Sequence, residues 1–179
     1  MPTIEYEAKV LEIDTSAMAA TIERLGGKRL GTRRMRRYVY DLIPPVARQW
    51  IRLRTDGDTT TLCVKEIRSD AIDGTHETET AVTDFDGTHA VLLAMGFVAR
   101  GYQENLRSSY LLAGARLEID TWPLIPPYLE IEGDSEDHVL STAQHLGISA
   151  DSLVYLNTQD VYHHYGHDLK AIKELRLPD

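Results

Sequence analysis

The stretch "IEYEAKV" (residues 4–10) alternates apolar and charged side chains with a period of two, and that alternation recurs along the chain. In an extended strand Glu5, Glu7 and Lys9 share one face, and Ile4, Tyr6, Ala8 and Val10 share the other. The same spacing sets Arg52 and Arg54 among Trp50, Ile51 and Leu53, places Lys65 in "LCVKE", and pairs Glu77 with Glu79 in "HETETAV". It puts Arg107 in "NLRSSY", Glu118 and Asp120 around Ile119, and Glu130 and Glu132 around Ile131. For any one such strand, a charged face in water is the ordinary arrangement. The set argues for the reverse. Some strands carry only acids on that face and others only bases, where a solvated face would mix Thr, Ser, Gln and Lys. The helical segments also need apolar sheet surface to cover, and the apolar faces supply it. With helices outside a closed sheet, the charged faces line its interior. The expected fold is therefore α+β: a closed eight-stranded antiparallel β-barrel, a tunnel, with helices packed outside.

Strands are expected at 3–13, 33–42, 49–55, 59–68, 75–83, 97–104, 105–112, 115–121 and 127–133. "DTSAMAATIERLGG" (14–27) reads as a helix with a capping Asp14 or Thr15, Met18, Ile22 and Leu25 at helical spacing, and a glycine stop. Further helices are expected at about 86–95, 134–147 and 158–166. The Asp-Gly of "TDGDTT" (55–60) marks a hairpin turn. Nothing marks an interdomain linker, so residues 1–179 read as one domain, with tunnel strands over about 3–133 and C-terminal helices over 134–179. At an offset of 70, Ile22, Leu25, Gly26, Gly31, Arg37 and Tyr40 fall on Leu92, Met95, Gly96, Gly101, Arg107 and Tyr110. Glu5 and Glu7 fall on Glu77 and Glu79 at an offset of 72. A real repeat would give two similar half-sheets facing each other; coincidence between two similar segments is the competing explanation.

The net charge of −9 argues against a general nucleic-acid or anionic-membrane surface, without excluding a local basic pocket. Cys63 is the one cysteine, which excludes an intrachain disulfide and a multi-cysteine metal site. No apolar run spans a bilayer, and Glu5 and Glu7 do not suit a signal peptide, so a cytoplasmic protein is expected. A homodimer is compatible with this chain on base rate alone.

A charged interior must be paired or hold ions. Carboxylates on neighbouring strands suit a hard divalent cation, and arginines and lysines opposite them suit a polyanion with phosphate geometry. That combination is the arrangement for phosphoryl transfer.

These residues resemble the CYTH family, the triphosphate tunnel metalloenzymes, which include class IV adenylyl cyclases, thiamine triphosphatases and inorganic triphosphatases. Its ExExK motif matches Glu5-Tyr6-Glu7-Ala8-Lys9. The remaining blocks follow in family order: Arg52 and Arg54, Lys65, Glu77 and Glu79, Arg107 with Tyr110, Asp120, then Glu130 and Glu132. The resemblance implies Mg²⁺ or Mn²⁺ held by Glu5, Glu7, Asp120, Glu130 and Glu132, and a triphosphate gripped by Lys9, Arg52, Arg54, Lys65 and Arg107. Lys9, Glu7 and Glu130 are its expected catalytic residues, with Glu77, Glu79 and Tyr40 behind them. One departure is visible: the family commonly has a lysine just before the arginine matched to Arg107, and Asn105 and Leu106 stand here. Arg100 or the run "RRMRR" (33–37) could compensate, although a charge run is more often a solvated edge.

A divalent-metal-dependent triphosphatase is the expected activity, acting on inorganic, nucleoside or thiamine triphosphate. A class IV adenylyl cyclase is the alternative chemistry, and an inactive polyphosphate- or nucleotide-binding module the alternative of another class. Tyr38 and Tyr40 read as core residues with wet hydroxyls, Cys63 as a buried inert thiol, and His163, His164 and His167 as a surface cluster.

Overall fold

The computed structural model describes residues 2–178. Its elements run β1 (Thr3–Val10), α1 (Thr15–Arg24), β2 (Lys28–Tyr40), β3 (Gln49–Thr55), β4 (Thr60–Ile67), β5 (Thr75–Val82), α2 (Phe85–Ala94), β6 (Ala99–Leu112), β7 (Ala115–Thr121), β8 (Tyr128–Gly133), α3 (Glu136–His145), α4 (Thr158–His164) and β9 (Glu174–Leu175). The strands hydrogen-bond in the order β2-β3-β4-β5-β1-β8-β7-β6, and β2 pairs with β6 to close the barrel. All eight barrel pairings are antiparallel. β9 adds to the free part of β6 in parallel, beyond the end of β7. No described helix is long and apolar enough to cross a membrane.

The helices begin where short polar side chains cap them. Asp14, Asp84 and Ser135 each accept from the backbone N–H three residues on, and Asn157 accepts from two such groups. Helices α1 and α3 cover the apolar backs of β1, β7 and β8, burying Ala8, Ile22, Leu117, Ile119, Leu129, Ile131 and Val139. Helix α2 covers β2 and β3 through Phe85 and Leu92 against Tyr40, Ile51 and Leu53. A third cluster joins Trp122 and Tyr128 to Val161 and Tyr162 of α4 and to Leu169 and Leu175 of the C-terminal segment. These faces are apolar because they are covered, which leaves the charged faces to the lumen.

Two expected strands, 97–104 and 105–112, are one strand: β6 continues through "QENLRS" because β2 pairs along nearly its whole length. The result is eight barrel strands. β2 starts earlier than expected, at Lys28, and crosses a register shift at Gly31, whose φ of +144° suits glycine. At Gly101 a Cβ would lie 2.7 Å from the Ile172 carbonyl, so glycine lets the tail approach and Tyr102 N–H donate to Lys173 O at 2.9 Å. That approach forms β9, for which the sequence gives no local cue.

Candidate active site

The lumen has a volume of about 1120 Å³ and is lined by Glu5, Glu7, Lys9, Arg52, Arg54, Lys65, Glu77, Glu79, Arg107, Glu130 and Glu132. The first strand therefore turns its charged face inward, as the sequence indicates. Of the expected residues, Asp120 is fully buried on the lumen side of β7, bonded to Arg107. Tyr40 is placed elsewhere: its hydroxyl hydrogen-bonds His89 Nδ1 of α2 at 2.6 Å, on the outside of the barrel. The parity of β2 dictates this, since Arg37 and Val39 line the lumen and Tyr40 faces away.

Four cations are clamped by carboxylates. Lys9, only 2% exposed, lies 3.2 Å from Glu7 and 3.0 Å from Glu130. Burial opposes its charge, but Glu130 and Glu7 outweigh burial and raise its pKa. Arg52 bridges Glu77 at 2.8 Å and Glu79 at 3.1 Å. Lys65 bridges Glu5 at 2.6 Å and Glu77 at 2.9 Å. Arg107 donates to Asp120 through Nε at 2.9 Å and Nη2 at 2.5 Å, and reaches Glu130 at 3.2 Å. A fork of this kind fixes the guanidinium plane as well as its charge.

Arg54 is different. Among the described residues no carboxylate oxygen lies within 4.0 Å of it, and Arg52, burial and Arg107 together push its pKa down to about 10. It stays charged at neutral pH, with Glu79 and Glu77 acting on it only from beyond ion-pair distance.

Carboxylates accumulate on the other flank. Glu130, 12% exposed at its side chain, is held ionised: burial opposes, and Lys9 and Arg107 prevail. Glu132 pairs across the sheet with Glu7, has no ion-pair partner among the described residues, and has its pKa raised by burial and then by Glu130 and Glu7. Glu118, 2% exposed, accepts from the Ser109 hydroxyl, and burial raises its pKa also. Its neighbours Leu117 and Ile119 face the outer core, so Glu118 shares the lumen face with Asp120. Glu5 is pushed up to about 8 by burial, while Glu77 beside it is held low against burial by the bond from Glu5 and by Arg52 and Lys65. Lys65 bridges the two carboxylates.

Among the described residues, the group of three possible ligand atoms within 4.8 Å of one another is Cys63, Glu77 and Glu79. Both glutamates there are bonded to Arg52, and burial pushes the Cys63 thiol up to about 12. Glu7, Glu130 and Glu132 lie together on adjacent strands, with Lys9 between Glu7 and Glu130 and with Arg116 as the register partner of Glu132.

Asn105 faces inward, 3% exposed, and donates to Asp120 Oδ1 at 2.7 Å, while Leu106 faces out. Arg100 lies at the rim, 3.5 Å from Asp41. The arginine run divides. Arg33 pairs with Asp58 and Arg34 with Glu104, Arg36 lies over Phe85, and Arg37 enters the lumen. Arg37 is the binding-site candidate that charge patterning missed; its alignment with Arg107 at the offset of 70 carried the clue. His163 and His164 are exposed on α4 and form no ligand group with His167.

The CYTH domain family model matches residues 3–159. No curated protein matches the chain. Among solved structures, PH1012 from Pyrococcus horikoshii is 20% identical with a TM-score of 0.76, covering 88% of this chain and 99% of its own. A candidate adenylate cyclase from Vibrio parahaemolyticus is 14% identical with a TM-score of 0.75, covering 91% of this chain and 99% of its own. HpAC1 from Hippeastrum, described as having a dominant triphosphatase activity, is 18% identical with a TM-score of 0.62, covering 91% and 96%. At these identities the likeness is one of fold.

Proposed function

The chain belongs to the CYTH domain family, and from that premise we propose that it is a divalent-metal-dependent phosphohydrolase acting on a triphosphate: inorganic, nucleoside or thiamine triphosphate. The observation that carries this reading is the division of one lumen into a basic flank, on which Arg54 has no ion-pair partner among the described residues, and an acidic flank, on which Glu132 has none. A polyanion lies against the first and a divalent cation against the second, and a metal-bridged triphosphate needs both at once.

Arg52, Arg54, Lys65, Arg107 and Lys9 bind the phosphates, and the clamped four are pre-oriented by their carboxylates, which lowers the entropy lost on binding. Glu7, Glu130 and Glu132, with Glu5 and Asp120 nearby, would hold Mg²⁺ or Mn²⁺, which when bound neutralises phosphate oxygens and lowers the pKa of water. Lys9 lies between Glu7 and Glu130, so it sets their positions and carries positive charge to the reacting phosphoryl group. Glu7 or Glu130 orients the water and takes its proton. The oxygen of water bonds to the terminal phosphorus, the bond to the bridging oxygen breaks, and orthophosphate and the shortened polyphosphate leave.

The test is to incubate the protein with inorganic triphosphate, and separately with ATP, in Mg²⁺ and then Mn²⁺, resolving phosphate, pyrophosphate and cyclic AMP, with Glu7→Gln as control. Phosphate release that the control loses is the expected result. Cyclic AMP with stoichiometric pyrophosphate would assign the cyclase instead. No product, with triphosphate still raising the melting temperature, would leave a binding module.

A further inference from the structure

We infer that Arg37 is a phosphate-binding residue of the lumen and forms, with Arg54, a two-arginine seat for one phosphoryl group of the substrate. This rests on the reading of the lumen as a triphosphate site and adds to it a residue and a position.

Arg37 of β2 and Arg54 of β3 are direct register partners. Both line the lumen. Directly opposed residues on one face stand about 4.5–5.5 Å apart at Cβ, and like charges there destabilise the sheet. Elsewhere in this lumen buried cations are offset: Lys9, Arg52, Lys65 and Arg107 each touch two carboxylates. Among the described residues neither Arg37 nor Arg54 has a carboxylate within 4.0 Å.

Arg37 is nonetheless held in place. It is 9% exposed, its Nε donates to Gln103 Oε1 at 2.9 Å, and its guanidinium lies 4.2 Å from the Trp122 ring. These neutral partners orient the group without cancelling its charge. They engage Nε and one face of the plane, so both terminal Nη groups remain for an anion among the described residues. Two such forks across a strand pair match the tetrahedral oxygens of a phosphoryl group. Burial, and then the charges of Arg52 and Arg54, push Arg37 down to about 10, so the pair is poised to gain from an arriving anion.

The competing role for Arg37 is packing on Trp122, with its charge incidental. The two roles predict opposite changes. Tripolyphosphate binding is measured by titration calorimetry and thermal shift in EDTA, at fixed ionic strength, for wild type, Arg37→Gln, Arg37→Lys and Arg54→Gln. Wild type is expected to bind. Arg37→Gln is expected to weaken binding about tenfold or more, the scale of one lost charge-assisted fork. Its ligand-free melting temperature should equal or exceed that of wild type, since a like-charge pair has gone. Arg37→Lys, which keeps charge without the fork, should fall between, and it serves as the probe should the glutamine variant fail to fold. If Arg54→Gln loses affinity while both Arg37 variants bind as wild type does, the inference falls and the triphosphate reading stands. An Arg37→Gln protein that melts lower and binds normally assigns packing only. If wild type binds tripolyphosphate neither in EDTA nor with Ca²⁺ in place of Mg²⁺, the reading beneath falls too.

Discussion

Strands β3 and β4 line one flank of the lumen with Arg52, Arg54 and Lys65, whereas β7 and β8 line the opposite flank with Glu118, Glu130, Glu132 and a single cation, Arg116, above the buried Asp120. These flanks hold equivalent places. Exchanging β1 with β5, β2 with β6, β3 with β7 and β4 with β8 maps the closed strand order onto itself. The repeat follows the same exchange. Ile22 and Leu92 are both buried under their sheets, Gly26 and Gly96 end their helices at φ of +89° and +93°, and Arg37 and Arg107 both enter the lumen. One architecture thus carries opposite charge in its two halves. The backbone pattern decides where a side chain points, and the residue type decides what the flank can hold.

Arg37 and Arg107 show this most directly. Both stand at the same place in the repeat, yet Arg107 is forked to Asp120 and Arg37 is not bonded to any acid among the described residues. The difference comes from the neighbouring strand. β7 offers Asp120 as the register partner of Arg107, and β3 offers Arg54 as the register partner of Arg37.

The largest expected effect comes from breaking the acidic flank where it is already bonded. Asp120 is fully buried and accepts from Arg107 and Asn105. Asp120→Asn leaves Arg107 with Glu130 alone, and loss of one partner of a buried pair costs about 3–5 kcal/mol. The melting temperature should fall by roughly 10 °C, with triphosphatase activity lost at temperatures where the variant remains folded. Calorimetry and a phosphate-release assay check both; a variant as stable as wild type would show that the fork contributes little.

Next is the metal. If the acidic flank holds it, EDTA abolishes activity, and Glu132→Gln raises the Mg²⁺ concentration for half-maximal rate about tenfold or more. The fold should be kept, because among the described residues Glu132 has no ion-pair partner to orphan. Titration of rate against Mg²⁺ reads this, and an unchanged half-saturation point would move the metal off β8.

Arg54→Gln probes the basic flank and should act in the opposite sense on stability. KM for triphosphate is expected to rise about tenfold, while the ligand-free protein melts no lower than wild type, since Arg54 has no ion pair to lose among the described residues. A marked drop in melting temperature would show a compensating bond that the free protein depends on.

Much of this was legible in the sequence because period-two alternation is absolute: once one face of β1 is inside, Glu5, Glu7 and Lys9 go together. The same rule fixed Arg52 with Arg54 and Glu130 with Glu132. It was less informative where neighbours on both sides are polar. In "RRMRR" either parity presents arginines, so only pairing with β3 and β6 selects Arg37. Tyr40 read both as a core residue and as a residue behind the site for a related reason, since a tyrosine suits a lumen wall or an outer core equally; the outer core is where it lies. The length of β6 and the existence of β9 depend on long-range partners, β2 and Gly101, and no local sequence preference encodes them.

The smallest expected effect decides whether the basic flank has a metal site of its own. Cys63 is the register partner of both Arg52 and Glu79, and its sulfur lies within 4.8 Å of carboxylate oxygens of Glu77 and Glu79. Three donors at that spacing resemble a ligand set, but Arg52 and Lys65 already occupy the carboxylates, and a thiolate is needed for a sulfur ligand. Burial keeps the thiol protonated until pH rises toward about 12, so at pH 8 it is neither nucleophile nor ligand. Cys63→Ala should therefore leave the Mg²⁺ half-saturation point and kcat within about twofold of wild type, and iodoacetamide should modify the folded wild-type protein at pH 8 far more slowly than the denatured one. Cadmium separates the possibilities further, because a soft ion selects thiolate over carboxylate. Inhibition by Cd²⁺ that Cys63→Ala relieves would place a metal beside Arg52 and end the division of the lumen into an anion flank and a cation flank. Equal sensitivity of the two proteins keeps it.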